Sequence, residues 1–312
     1  MSSRYKISNE FFPFNYFSTP TNPLMIRFSS GLLKIWGFIK FNVERDPRVT
    51  VEKLRVPGYK GKKITIYLIS PRGCREPLPC LVDAHGGGFM FEASPSQIDL
   101  AMQYAKYGKF KVAFVNYHLH TDIPQPAPQE DFFVAYRCIV NHADELGIDR
   151  YRIGVAGDSA GGMLAATTCM LARDRGIRPL PRFQVLLYPW LDDRFISESC
   201  RKYTDTPMWN STLAKKLVPI MNADPENVPA FLRSPVQAES FADLPPAYIE
   251  VAEYDCLHDD GILFAKKLRE AGVNVHLDEV RGAMHGFDTK LSAPTTRRMV
   301  LNRVQFMKKM FR

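Results

Sequence analysis

One pentapeptide constrains this chain more than any other feature. Gly157-Asp158-Ser159-Ala160-Gly161 stands between RIGVA, which predicts a strand, and GGMLAATTCML, which predicts a helix. A serine at so sharp a strand-to-helix turn is held in a strained backbone conformation, and glycines two residues to either side let strand and helix approach without Cβ clashes. The serine Oγ is thereby lifted above a sheet, and the helix start behind it offers backbone N–H groups where an oxyanion would form. Ser159 is the candidate nucleophile, and the N–H of Ala160 a candidate oxyanion donor.

The surrounding pattern fits that turn. Strands are expected near Val49–Val56, Lys63–Ser70, Cys80–Ala84, Val112–Asn116, Arg152–Ala156, Phe183–Tyr188, Ala247–Val251 and Asn274–Val280. Helical stretches at Ser96–Tyr107, Gln129–His142, Gly161–Arg175, Gly261–Ala271 and Thr295–Phe311 separate the later ones. The alternation predicts an α/β fold, a mostly parallel sheet of about eight strands covered on both faces by helices, its first two strands antiparallel. Two segments stand outside it, and the chain divides accordingly: an N-terminal cap piece (1–48), core (49–191), a cap insertion (192–234) and core again (235–312). Within the first, Asn22 and Pro23 read as N-cap and first residue of a helix. That helix confines Arg27, Ser30, Lys34, Gly37 and Lys40 to a narrow polar stripe, while Met25, Phe28, Leu32, Ile35, Trp36 and Ile39 must rest on something. A cap over the core is the expected arrangement. Contact with a membrane surface through Trp36 and the flanking lysines is the second reading. The insertion is too long for an ordinary connection and is expected to be helical. Phe11, Phe12, Phe14, Tyr16, Phe17 and Trp209 are candidates to line an apolar tunnel.

A lone serine needs a base, an acid and donors for the developing charge. His85-Gly86-Gly87-Gly88-Phe89 follows the strand PCLVDA, and its glycines leave backbone N–H groups unobstructed; Gly86 and Gly87 are the expected donors, each worth about 3 kcal/mol of transition-state stabilisation. His85 reads as a residue that orders this loop. A phosphate loop is excluded by the missing G-K-[ST] and G-x-G-x-x-G spacings. Of the seven histidines, His285 in RGAMHGF directly follows the last strand, at the sheet edge where Ser159 emerges, and is the candidate base. His118 and His120 have only Asp122 nearby and make a poor metal pair. The segment EYDCLHDDG after AYIEVA offers Glu253, Asp255, Asp259 and Asp260. Asp255 comes first after the strand and is best placed to orient His285, while Asp260 is expected to cap the next helix. The chain order serine, acid, histidine is that of the α/β-hydrolases.

Charge and cysteine usage bound the partners. The formal net charge of +8 sits at the two ends, residues 1–63 and 297–312, around a mildly acidic middle. It reads as solvated surface, with no case for nucleic acid. The six cysteines form no C-x-x-C pair and read as reduced packing thiols. No secretory signal is visible at the N-terminus, so a cytoplasmic location is expected.

Together, HGGGF, GDSAGG, EYDCLHDDG and HGF resemble the hormone-sensitive-lipase branch of the α/β-hydrolases over about residues 60 to 290. The resemblance implies a serine carboxylesterase acting on mostly short acyl esters without a cofactor, capped by helices from the N-terminus and from an insertion after the sixth strand. It assigns Ser159, Asp255 and His285 as the triad and Gly86, Gly87 and Ala160 as oxyanion donors. Relatives of this kind often pair as homodimers through an edge strand or the cap. Deacetylation and lactone or amide hydrolysis use the same machinery, and a binding protein that has lost turnover is a more distant alternative. One stretch departs from the family pattern: NYHLHTDIPQPAPQED carries His118 where arginine is usual, which puts the local salt bridges and the acyl-pocket wall in question.

Overall fold

A computed structural model describes residues 4–42, 46–75, 77–221 and 228–312. Its helices and strands, in chain order, are α1 (Pro23–Asn42), β1 (Val49–Pro57), β2 (Lys63–Pro71), β3 (Leu78–Ala84), α2 (Pro95–Gly108), β4 (Lys111–Asn116), α3 (Ala127–Asn141), β5 (Ile148–Asp158), α4 (Ala160–Asp174), β6 (Gln184–Leu187), α5 (Glu198–Lys202), α6 (Ser211–Met221), α7 (Ala230–Arg233), β7 (Ala247–Tyr254), α8 (His258–Glu270), β8 (Val275–Met284) and α9 (Pro294–Met310). The strands form a single eight-stranded sheet in the order β1-β2-β4-β3-β5-β6-β7-β8. β2 pairs antiparallel with β1 and β4, and the remaining pairs are parallel. This is the mostly parallel eight-stranded α/β sheet that the alternation of strands and helices predicts.

Side-chain alternation along the strands divides the core in two. Val82, Val155 and Ile249 point to one face, where they pack with Ile139 of α3, Leu164 of α4 and Phe264 of α8. Leu81, Val112 and Phe114 point to the other, against Ile98 of α2 and Val300 of α9. The strands at the centre are buried on both faces, so β6 reads QVLL with no polar alternation to mark its ends.

The chain crosses from β3 to β4 through α2 in one direction and from β4 past β3 to β5 in the other, so the loops that follow β3 and β5 emerge side by side. Ala84 is in register with Gly157, which sets the HGGG loop against the GDSAG turn, at the kind of reversal point where open α/β sheets bind ligands. α2 is well started: Ser94 and Gln97 form a reciprocal capping box with Pro95 at the first helical position.

The described residues of 192–234 include three helices, α5, α6 and α7. In the N-terminal segment the direction of α1 overturns the expectation. The helix starts where predicted, Asn22 Oδ1 accepting the Leu24 N–H at 2.9 Å. It faces the protein, however, with Ile26 and Leu33 and with Ser30, Gly37 and Lys40 of the polar stripe: Ile26 and Ser30 are its buried residues, Arg27 and Lys34 of the stripe stay exposed, and so do Leu24, Met25, Phe28, Leu32, Ile35, Trp36 and Phe38. The physical reason is the surface beneath it. Ser30 Oγ accepts the Glu92 N–H at 3.1 Å, Lys40 Nζ meets Asp99 at 3.0 Å, and Gly37 leaves room for Ile98.

Candidate active site

β5 runs to Asp158, and Ser159 turns the chain into α4 with φ +54° and ψ −117°, a left-handed conformation costly for any residue with a Cβ. Close packing makes the turn possible. A Cβ on Gly161 would run into the carbonyl of Ala84, and one on Gly157 into that of Gly161. Both glycines of the pentapeptide are therefore required by contact.

The structure brings Ser159, His285 and Asp255 together from three strand ends. The Ser159 hydroxyl donates to His285 Nε2 at 2.9 Å, and His285 Nδ1–H donates to Asp255 Oδ2 at 2.7 Å. This tautomer is assigned from its partners, since the carboxylate only accepts. The second carboxylate oxygen accepts the Leu257 N–H at 3.0 Å, which holds Asp255 in place. All three residues are buried. The aromatic rings of Tyr188 and Trp209 lie 5.0 and 6.1 Å from the imidazole and restrict its movement.

The oxyanion loop corrects one expectation. Gly86 N–H donates to Asp158 Oδ1 at 2.9 Å, so it is spent on the carboxylate and unavailable to a substrate. Gln97 Nε2 holds the other oxygen of Asp158 at 2.7 Å, and the same side chain accepts the Ser94 N–H at 2.8 Å. Asp158 thus ties the loop to the start of α2. The next two glycines, Gly87 and Gly88, line the cavity beside Ser159, and no acceptor for either N–H occurs among the described residues. Ala160 opens α4, so its N–H has no intrahelical partner. Burial and the nearby Asp288 push the Asp158 carboxyl up to about 6.

His85 is an organiser of the loop. Its Nδ1 pairs with the Gly86 carbonyl at 2.7 Å, its ring stacks on Tyr117 at 4.5 Å, and burial pushes the imidazole down to about 4, so it stays neutral. Tyr117 OH donates to the His85 carbonyl at 2.7 Å. His118, in the divergent stretch, bonds Asp131 through Nδ1 at 2.7 Å and through its backbone N–H at 2.9 Å. None of residues 117–131 lines the cavity, so the departure leaves the pocket wall untouched.

Two further expectations need correction. Asp260 does not cap α8; it lies inside the first turn, buried, with Oδ2 unpartnered among the described residues. Of the aromatic residues, Phe14, Phe17 and Trp209 line the cavity. Phe11 instead packs edge-on against Phe287 below it, and Phe12 and Tyr16 are exposed. The cavity holds about 870 Å³; Ser159 and His285 lie on its floor, and Leu32, Leu33 and Trp36 of α1 form part of its wall.

Sequence reasoning missed Asp158, Gln97, Tyr188 and Asp288. Gln97 carried a signal, its place three residues after Ser94 before an apolar run, but that signal predicts a cap and not a clamp on a loop. Tyr188 and Asp288 carried none. They belong to a buried network in which Tyr188 OH bonds Asp288, and Arg303 reaches Asp288 at 2.8 Å and Glu250 at 3.0 Å.

Residues 81–289 match the family described as the alpha/beta hydrolase fold. Among curated proteins, the chain is 36% identical over 250 residues to Esterase LipI of Mycobacterium tuberculosis, covering 77% of this chain and 76% of that protein. It is 34% identical over 254 residues to Carboxylesterase NlhH of the same organism, with 80% and 79% covered. Among solved structures, Bacterial Heroin Esterase superposes with a TM-score of 0.87 at 29% identity, with 98% of both chains covered.

Proposed function

The chain belongs to the alpha/beta hydrolase family matched over residues 81–289, and from that premise we propose that it is a serine carboxylesterase of the hormone-sensitive-lipase type, hydrolysing short-chain acyl esters through an acyl-enzyme. The observation that carries the reading is the continuous hydrogen-bonded line from Ser159 Oγ through His285 to Asp255 on the floor of an open, largely apolar cavity. Relatives named as an esterase, a carboxylesterase and a carboxylic ester hydrolase support the reading.

Each step follows from that geometry. As Ser159 Oγ bonds to the ester carbonyl carbon, its proton passes to His285 Nε2, and Asp255 stabilises the imidazolium. Negative charge moves to the former carbonyl oxygen, where the N–H groups of Gly87, Gly88 and Ala160 meet it. Collapse of the intermediate expels the alcohol, which takes the proton from His285 Nε2. A water molecule then loses its proton to the same nitrogen and attacks the acyl-enzyme, releasing the acid and restoring Ser159. Trp209 supports a short acyl chain, because its indole stands 3.1 Å from the position a Cβ on Gly88 would take and so narrows the space over the oxyanion loop.

Hydrolysis of p-nitrophenyl acetate, butyrate, octanoate and palmitate tests this, alongside Ser159→Ala. Activity should fall with chain length and vanish in the variant. Equal activity in the variant, or none on any ester, would overturn the assignment; a preference for octanoate would overturn only the chain length.

A further inference from the structure

Helix α1 is built inside out. Ile26, Ser30, Leu33, Gly37 and Lys40 recur at three or four residues and face the protein. Leu24, Phe28, Ile35 and Phe38 share the opposite side, and all four are at least 59% exposed. Single exposed apolar residues are ordinary, but a row of them over four turns is a surface that something covers.

Two observations identify what covers it. The first is charge. Between Glu10 and Glu44 the sequence has no acidic residue. Arg27 and Lys34, two helical turns apart, project from one flank of the apolar face, and both are exposed, although Lys34 Nζ also lies 4.0 Å from a Glu92 carboxylate oxygen at the foot of the helix. A second copy of this chain seated there would bring Arg27 and Lys34 of each copy toward the other, with only the largely buried Glu92 carboxylate beside Lys34 to offset them. An anionic surface complements them. The second is the cavity. Ser29, Leu32 and Trp36 occupy the other flank of the same face and line the cavity that holds Ser159, so the apolar face runs into the cavity mouth.

We propose that α1 docks this protein on an anionic lipid surface. Leu24, Phe28, Ile35 and Phe38 enter the acyl boundary, Arg27 and Lys34 meet the headgroup phosphates, and the cavity mouth lies against the lipid. The helix lies in the interface and does not span it; no described helix is long and apolar enough to cross a membrane. Docking is independent of catalysis. Its benefit, that esters dissolved in lipid reach Ser159 without crossing water, rests on the esterase reading.

Flotation with vesicles of phosphatidylcholine, and of phosphatidylcholine mixed with phosphatidylglycerol, tests the proposal on the full chain. The wild type should float with the mixed vesicles, less so as salt is raised. Trp36 emission should shift to the blue, since Trp190 and Trp209 are already buried. Phe28→Ser with Ile35→Ser should weaken binding to the mixed vesicles by about tenfold or more, and Arg27→Glu with Lys34→Glu should do so while leaving the weaker binding to phosphatidylcholine unchanged. Equal binding by either double variant, or no flotation of the wild type, overturns the proposal. In the latter case a dimer in light scattering that Phe28→Ser with Ile35→Ser dissociates would assign the face to a second copy. Hydrolysis of water-soluble p-nitrophenyl acetate should be the same for all forms. Its absence from every form, with flotation as expected, would sink the esterase reading and leave the docking intact.

Discussion

Helices α1 and α4 look alike as strings and behave as opposites. Both are rich in apolar residues, yet every residue from Ala160 to Ala172 in α4 is buried, whereas α1 buries only Ile26 and Ser30 of its twenty. α4 packs on one face of the sheet, against β3, β5 and β6, with α3 and α7 on its other sides. α1 meets chiefly α2 and the loop before it, through Ile26 and Leu33 together with a hydroxyl, a glycine and an ion pair. The contrast shows that an apolar helix is not oriented by its own hydrophobicity. What the rest of the fold offers as a surface decides which side turns inward.

The sharpest tests of this contrast lie at the buried helix. Ser159→Ala, at its start, should lower kcat/KM for p-nitrophenyl butyrate by about 10⁴-fold or more while circular dichroism is unchanged. Gly161→Ala sets a Cβ against the Ala84 carbonyl, where neither backbone can yield. It should cost about 3 kcal/mol in urea denaturation, and a cost below about 1 kcal/mol would show the turn to be looser than its contacts indicate.

Asp260 extends the buried side of the comparison to pH. Burial, with Cys200 and Asp192 nearby, pushes its carboxyl up to about 8, against about 3.9 in an unfolded chain. Between those values the folded protein holds a proton that the unfolded chain has released. The stability this represents is therefore complete below about pH 4 and is lost as pH rises to about 8. Asp260→Asn should remove that slope, so the stability of the variant relative to wild type should climb from about pH 4 to about pH 8 and then level off. A constant difference across that range would refute the burial argument.

At α1 the effects should shrink and depend on the side chosen. Ser30→Ala leaves the Glu92 N–H without its acceptor and should cost about 1 kcal/mol in thermal or urea unfolding. Phe28→Ser, on the outward side, should change stability by no more than about 0.5 kcal/mol. A loss of several kcal/mol there would mean that Phe28 packs inward and would erase the difference between the two helices.

The legible parts of this protein share one property: they depend on neighbours close in sequence. Strand, turn and helix around Ser159 are spelled out within about twenty residues, and His285 and Asp255 each directly follow a recognisable strand. Strand ends are less readable, at β6 because burial on both faces hides the pattern and at β5 because its first residues, 148–151, are mostly polar and part-exposed. β5 begins at Ile148, four residues before the expected Arg152, and β6 is shorter than the expected Phe183–Tyr188 at both ends. The register of the oxyanion loop was not readable at all. Gly86, Gly87 and Gly88 are equivalent as letters, and only the carboxylate of Asp158, two strands away in sequence and adjacent in space, takes the first N–H, while the next two glycines line the cavity with no acceptor for their N–H groups among the described residues.

By itself the amino-acid sequence determined the order of strands and helices, and hence the strand ends from which Ser159, Asp255 and His285 emerge, because periodicity and turn chemistry are local properties of a chain. Only the tertiary structure decided which glycine N–H group Asp158 takes and which side of α1 faces solvent. Both depend on partners and surfaces supplied by remote segments, the Asp158 carboxylate for the loop and the Glu92 N–H and Asp99 carboxylate for the helix, and no local pattern encodes where a distant partner will stand.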